Sequence, residues 1–191
     1  MTLRAPAQHS PLFEGLPAEI LEAADGIDPT PLVRARDVVL DLGCGSGKTC
    51  FAASQLTGPG GRVIGVEATP ERLALARRHE DAIGRAIGWY NVELHCADVR
   101  DLALDLEALA HWVEQHPARG RAGDAALRRA AARLRREVPM VAGSSVDLVL
   151  SGDVQDLASG RDEKRLFAEI RRVLKPGGRW AVSGAVAWTK G

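Results

Sequence analysis

The chain has 191 residues, 25 basic against 25 acidic side chains and 46% hydrophobic residues, which predicts one soluble domain with a substantial core. A formal net charge of zero removes any general electrostatic case for nucleic acid or an anionic membrane as partner. Three cysteines, Cys44, Cys50 and Cys96, are odd in number and lack C-x-x-C spacing, so they read as reduced thiols of a cytoplasmic protein and suggest no metal site. No stretch has the length of a membrane span, and residues 1–17 have no signal-peptide core.

In chain order, Leu16–Ala24 reads as a short helix within an N-terminal arm (1–36), broken by Asp28-Pro29-Thr30-Pro31. Val38-Val39-Leu40-Asp41-Leu42 is a short apolar run that ends in an acid and meets Gly43, Gly45 and Gly47 at alternate positions. It predicts a buried parallel strand entering a tight turn, followed by a helix over Lys48–Leu56. A second strand, Arg62–Val66, ends at Glu67. Thr69-Pro70-Glu71 then reads as an N-cap, a first-turn proline and a favourable acid, opening a helix with Leu73, Ala76 and Ile83 on one face.

Asn91–Cys96 alternates apolar and polar, which places the third strand at a wet face or a sheet edge. The connection from Asp98 to the fourth strand is far longer than a crossover requires. It predicts a helical insert over 102–142, with one stripe on Leu106, Leu109, Trp112 and Val113 and a second on Leu127, Ala130, Ala131, Leu134 and Val138. The second segment is rich in arginine but has no interleaved aromatics, so a solvated helix surface is the simpler reading than an RNA or anion site. Val146–Leu150 is the fourth strand and runs into Ser151-Gly152-Asp153. A helix follows over Arg161–Leu174, then Lys175-Pro176-Gly177-Gly178 turns into a fifth strand, Arg179–Val186.

The glycine turn suits a nucleotide, but the phosphate loop fails because position 42 is leucine, and G-x-G-x-x-G fails because Lys48 stands where its third glycine belongs. Asp41 at the mouth of the turn would repel phosphates and suits a cationic ligand such as S-adenosylmethionine, with its ammonium and sulfonium. An ATP-type loop and a purely structural turn remain the alternatives. Glu67 falls twenty residues past Gly47, where a nucleotide fold places the acid that accepts hydrogen bonds from ribose. Asp98, just past strand three, is placed to accept from an adenine amino group.

Val39–Gly47, Val63–Glu67, Asn91–Leu94, Ser145–Ser151 and Val173–Gly178 together resemble, in order, the motifs of class I S-adenosylmethionine-dependent methyltransferases. The resemblance implies a doubly wound, Rossmann-like parallel sheet in the order 3-2-1-4-5, one domain over 1–191, and S-adenosylmethionine as cofactor. It also implies that Asp41, Gly43, Gly45 and Gly47 hold the methionine end, Glu67 the ribose, and Asp98 and Val99 the adenine. Cys44, Ala68 and Ser151 complete the expected cofactor shell.

Gly45–Leu56, with Cys50, and Asp162–Leu174 are similar to the arsenite methyltransferase branch, which makes Cys50 a substrate candidate as well as an ordinary small helix residue. The branch carries Ser-Asn-Cys after strand four, where this chain has Ser151-Gly152-Asp153. Carboxylate oxygen is a poor substitute for thiolate toward As(III), so the implied partner is a small-molecule acceptor of unknown identity. Asp153 is the candidate catalytic base. The same departure also allows a cofactor-binding subunit that has lost transfer. Without the antiparallel hairpin usual beyond strand five, that strand would be an open edge and invite a homodimer.

Overall fold

The computed structural model describes residues 16–21, 27–117, 119–152, 161–182 and 185–188. The element order is α1 (Ala18–Leu21), β1 (Val38–Leu42), α2 (Lys48–Thr57), β2 (Arg62–Glu67), α3 (Pro70–Ile87), β3 (Val92–Cys96), α4 (Leu106–Gln115), α5 (Gly120–Glu137), β4 (Val146–Ser151), α6 (Arg161–Val173), β5 (Leu174–Val182) and β6 (Ala185–Trp188). The sheet order is β3-β2-β1-β4-β5-β6. Strands β1 to β5 run parallel, as the apolar runs of β1, β2 and β4 require of strands covered on both faces. β3, the alternating one, is the edge on its side.

Two apolar layers flank the sheet. Leu40, Leu42, Ile64, Val66 and Val149 pack with Leu166, Ile170 and Val173 of α6. Val39, Val63, Leu148 and Leu150 pack on the opposite face with Cys50 and Ala53 of α2 and Leu73 and Ala76 of α3. Alternate residues of each strand thus serve opposite layers, which is the period-two consequence of the pleat. Ile20 of α1 is buried against Phe51 and Ile83, so the short N-terminal helix closes the outer side of α2 and α3.

Four sequence expectations are corrected. The chain beyond β5 is not an open edge: β6 pairs antiparallel with β5, from Arg179 opposite Trp188 to Val182 opposite Ala185. With β5 hydrogen-bonded on both sides, a homodimer through its edge has no free strand to form on. Strand five also begins earlier than expected, because Leu174 pairs with Val146 and the Lys175–Gly178 turn bulges before Arg179 rejoins Leu148. Thr69 stands at the N-cap of α3, yet its side chain makes no cap bond; its backbone N–H donates instead to Glu67 Oε1 at 2.9 Å. In the two helices of the insert, α4 and α5, only Ala130 and Ala131 are buried, and Val113, Leu127 and Val138 of the expected stripes are exposed.

Candidate functional site

β1 and β2 end side by side, with Asp41 opposite Gly65 and Leu42 opposite Val66. The chain then leaves β1 through Gly43, Gly45 and Gly47, whose φ values of 73°, 54° and 84° are all left-handed, a conformation costly for any residue with a Cβ. The N–H groups of Gly43 and Cys44 both donate to Val66 O, at 2.8 and 3.0 Å, which pins the turn across the end of β2. Space differs at the three glycines. A Cβ on Gly43 would meet nothing within 4 Å, one on Gly47 would strike the Phe51 ring at 2.8 Å, and one on Gly45 would lie 3.3 Å from Arg72 Nη2. Gly47 is therefore a packing glycine, whereas Gly43 leaves room for a ligand to approach the backbone.

Two carboxylates are built into this turn. Glu67 is buried; its Oε2 accepts from Gly45 N at 3.0 Å and its Oε1 from Thr69 N. Asp41 lies on the same face of the sheet and is also buried, and its Oδ2 accepts from the Cys50 thiol at 3.3 Å. Burial pushes Asp41 up to about 7, the Cys50 bond opposes that rise, and the charge of Glu67 adds to it. The Cys50 thiol is itself pushed up by the adjoining Cys44 thiol, then by burial and the Asp41 carboxylate. Cys50 is completely buried.

The remaining expected residues line the same C-terminal edge of the sheet. Ser151 sits opposite Leu42, and its Oγ is buried with no hydrogen-bond partner among the described residues. A buried, unanswered hydroxyl at a crevice fits an absent ligand. Ala68 is exposed just past Glu67, and Val99 is buried in the layer with Ala97 and Leu102. Asp98 is half-exposed and engaged by Arg100, whose Nε and Nη2 both reach it at 2.8 Å while Nη1 reaches Asp162 at 2.7 Å. That guanidinium holds the Asp98 carboxyl below its usual range. Asp153 lies outside the described residues.

The structure thus draws Asp41, Gly43, Cys44, Gly45, Gly47, Cys50 and Glu67 into one cluster. Asp98 is held to the neighbouring loop, and Ser151 stands on the opposite sheet face from Asp41, since it pairs with Leu42. Sequence reading missed Arg72 and Arg100. The available signal was spacing: Arg72 lies in the first turn of α3, which begins where β2 ends, and Arg100 follows Asp98 by two residues.

Family models described as a methyltransferase domain match residues 34–112 and 109–182. An arsenite methyltransferase of Aquipseudomonas alcaligenes is 32% identical over 149 residues, 78% of this chain and 33% of the relative. The chain is a class I S-adenosylmethionine-dependent methyltransferase domain that resembles the arsenite methyltransferases. A second arsenite methyltransferase, from Halobacterium salinarum, is 33% identical and covers 78% of this chain and 27% of the relative. The methyltransferase chain therefore spans about a third of the length of these curated relatives.

Among solved structures, an arsenic(III) S-adenosylmethionine methyltransferase from Chlamydomonas reinhardtii superimposes with a TM-score of 0.66 at 26% identity, covering 94% of this chain and 49% of that one. A methyltransferase from Aquifex aeolicus, at 17% identity and a TM-score of 0.53, covers 81% of this chain and 62% of that one and shares the fold. No helix among the described residues is long and apolar enough to cross a membrane.

Proposed function

We propose that this methyltransferase binds S-adenosylmethionine along the ends of β1, β2 and β3 and transfers its methyl group to a small-molecule acceptor. The observation that carries the reading is the bond from Gly45 N to Glu67 Oε2. It ties the glycine turn and the acid into one buried unit beside the open space at Gly43. In this reading Asp41, Cys44 and the glycine turn hold the methionine end and Glu67 accepts from the ribose hydroxyls. Ala68, Asp98 and Val99 flank the adenine, and Ser151 Oγ finds its partner on the ligand. The bound cofactor supplies an electrophilic methyl group. The chain's contribution is alignment, with little demand for acid-base groups.

Where an acceptor must lose a proton, Asp153, two residues beyond β4, is the proposed base. Cys50 is a weaker candidate for contact with a substrate, since its thiol is buried and engaged by Asp41. Three buried, unbridged cysteines suit a reducing, cytoplasmic setting. Calorimetric titration with S-adenosylmethionine and S-adenosylhomocysteine tests the reading. Micromolar binding of both, reduced at least tenfold by Glu67→Ala, is expected; failure of either to bind overturns it. Mass spectrometry of arsenite and thiol or metabolite acceptors incubated with the donor then identifies the acceptor. An Asp153→Ala variant that retains full turnover removes the proposed base.

A further inference from the structure

The loop that follows β3 is fastened from three directions. Ala97, Val99 and Leu102 are buried in one layer with Leu166 and Ile170 of α6. The carbonyls of Leu102 and Ala103 accept from Val141 N and Met140 N at 2.9 and 3.1 Å, and Arg135 Nη2 of α5 donates to the Asp101 carboxylate at 2.7 Å. Within this loop Arg100 grips Asp98 as a fork. Its backbone N and its Nε donate to Asp98 Oδ1 at 2.9 and 2.8 Å, and Nη2 donates to Oδ2 at 2.8 Å. Nη1 of the same guanidinium donates to Oδ2 of Asp162, in the first turn of α6, at 2.7 Å. One side chain thus joins the exit of β3 to the start of α6.

We propose that Arg100 is a positioning residue that sets the base specificity of the cofactor site: it holds Asp98 as a fixed, ionised acceptor whose Oδ2 receives the amino group of adenine, so that a base with a carbonyl oxygen at that position is refused. The inference rests on the cofactor placement proposed above, which sets Asp98 beside the adenine but gives Arg100 no part. Three observations carry it. First, the fork engages both carboxylate oxygens while the backbone N–H of Arg100 closes an Asx turn on one of them, which fixes the plane of the carboxylate as a single bond would not. Second, a carboxylate oxygen has two acceptor positions, and Oδ1 answers two short donors. Oδ2 answers Nη2, with the Nε proton shared toward it at a longer 3.1 Å, so Oδ2 is the oxygen with capacity for a further donor. Third, the side chains of Asp98 and Arg100 are 38% and 36% exposed, so a ligand can reach the acid. Pairs that exposed add little to stability, and what this one supplies is orientation. The guanidinium also keeps the Asp98 carboxyl below its usual range. At neutral pH it is therefore purely an acceptor, which attracts an amino N–H and repels a carbonyl oxygen.

The test is calorimetric titration of S-adenosylhomocysteine, and of its deaminated analogue S-inosylhomocysteine, into wild type, Asp98→Ala, Arg100→Met, Arg100→Lys and Asp162→Asn. Wild type is expected to prefer the adenosine compound by at least about tenfold, the worth of a hydrogen bond to a charged group, and Asp98→Ala to lose most of that preference. Arg100→Met is expected to cut the preference by at least about threefold, and Arg100→Lys, which keeps a charge without the fork, by less. Asp162→Asn, which weakens the tether of Nη1 and leaves the grip on Asp98, is expected to cut it by about twofold. An unchanged preference in Arg100→Met overturns the positioning role alone, even where both affinities fall together, because equal losses mark a residue that only supports the loop. Should Arg100→Met fail to fold, Asp162→Asn decides, and an unchanged preference there overturns the role. An unchanged preference in Asp98→Ala overturns the adenine contact and the role of Arg100 with it. Failure of wild type to bind S-adenosylhomocysteine overturns the cofactor placement and the inference together.

Discussion

The Cys50 thiol donates to Asp41 Oδ2 across 3.3 Å beneath the glycine turn, so the carboxylate meant to face a cation is also part of the packed layer between β1 and α2. Burial is what raises its pKa to about 7, and two consequences follow from the sign of that shift. The folded pKa lies above the unfolded value of 3.8, so the native state holds more protons between those limits. Its contribution to stability is complete below about 3.8 and is lost as pH rises through 7. Asp41→Asn is therefore expected to melt progressively higher, relative to wild type, as pH is raised from 5 to 8. Paired thermal melts across that range check it, and a constant difference refutes it.

The same titration bears on the ligand. An ionised Asp41 attracts the cationic methionine end and a protonated one does not. S-adenosylmethionine affinity in wild type is expected to rise between pH 6 and pH 8 by more than it does in Asp41→Asn. Calorimetry on both proteins over that range measures the difference directly.

Gly65 of β2 has no room for a side chain. A Cβ there would stand 2.8 Å from Cys50 Sγ, 2.8 Å from Leu94 Cδ2 and 3.0 Å from Cys44 Sγ. All three neighbours are buried, so none can swing away into solvent. Gly65→Ala is expected to destabilise by about 2 kcal/mol through overpacking. It should also disturb Cys44 in the turn and weaken cofactor binding. Urea denaturation reads the first effect and calorimetry the second.

Far from the site, Arg179 of β5 and Asp37, which precedes β1, form a buried ion pair, and Arg179 Nη1 also donates to Leu32 O at 2.5 Å. Asp37 accepts in addition from Arg34 N at 2.8 Å. Removing one partner leaves a charge without its counterion in the interior. Arg179→Met or Asp37→Ala is expected to cost about 3–5 kcal/mol, while the double variant Asp37→Leu/Arg179→Met should recover part of it. A double-mutant cycle by denaturation checks this, and simple additivity of the two losses sinks it.

Glu67 offers the direct test of the site. With its carboxylate removed, Gly45 N and Thr69 N lose their acceptor together. Glu67→Ala should loosen the turn and reduce cofactor affinity by about 10- to 100-fold, the range for hydrogen bonds to a charged group. Glu67→Gln, which retains one acceptor oxygen, should fall between. Equal losses in the two variants would show that charge decides, and not the backbone bonds.

Much of this protein was written locally. Asp41, the alternate glycines and Glu67 at its offset are short-range patterns, and the apolar runs of β1, β2 and β4 announce a sheet covered on both faces because every pleat position must be apolar. The alternation of β3 likewise marked an edge. These features depend on backbone conformation and on one residue's burial, which neighbours in the chain largely set.

What the tertiary structure decided involves pairs distant in sequence. The meeting of Arg72 with Gly45, the bond from Arg100 to Asp162, and the ion pair between Asp37 and Arg179 all require elements to be brought side by side, and no local period encodes such a meeting. The pairing of β6 with β5 differs in kind: Ser183-Gly184 interrupts the apolar run between Val182 and Ala185, a two-residue hairpin signal that the reading of one long strand passed over. The pKa of Asp41 belongs to the same class as those distant pairs, because the sequence names a carboxylate and only its burial, opposed by the Cys50 bond and reinforced by the charge of Glu67, raises it to about 7.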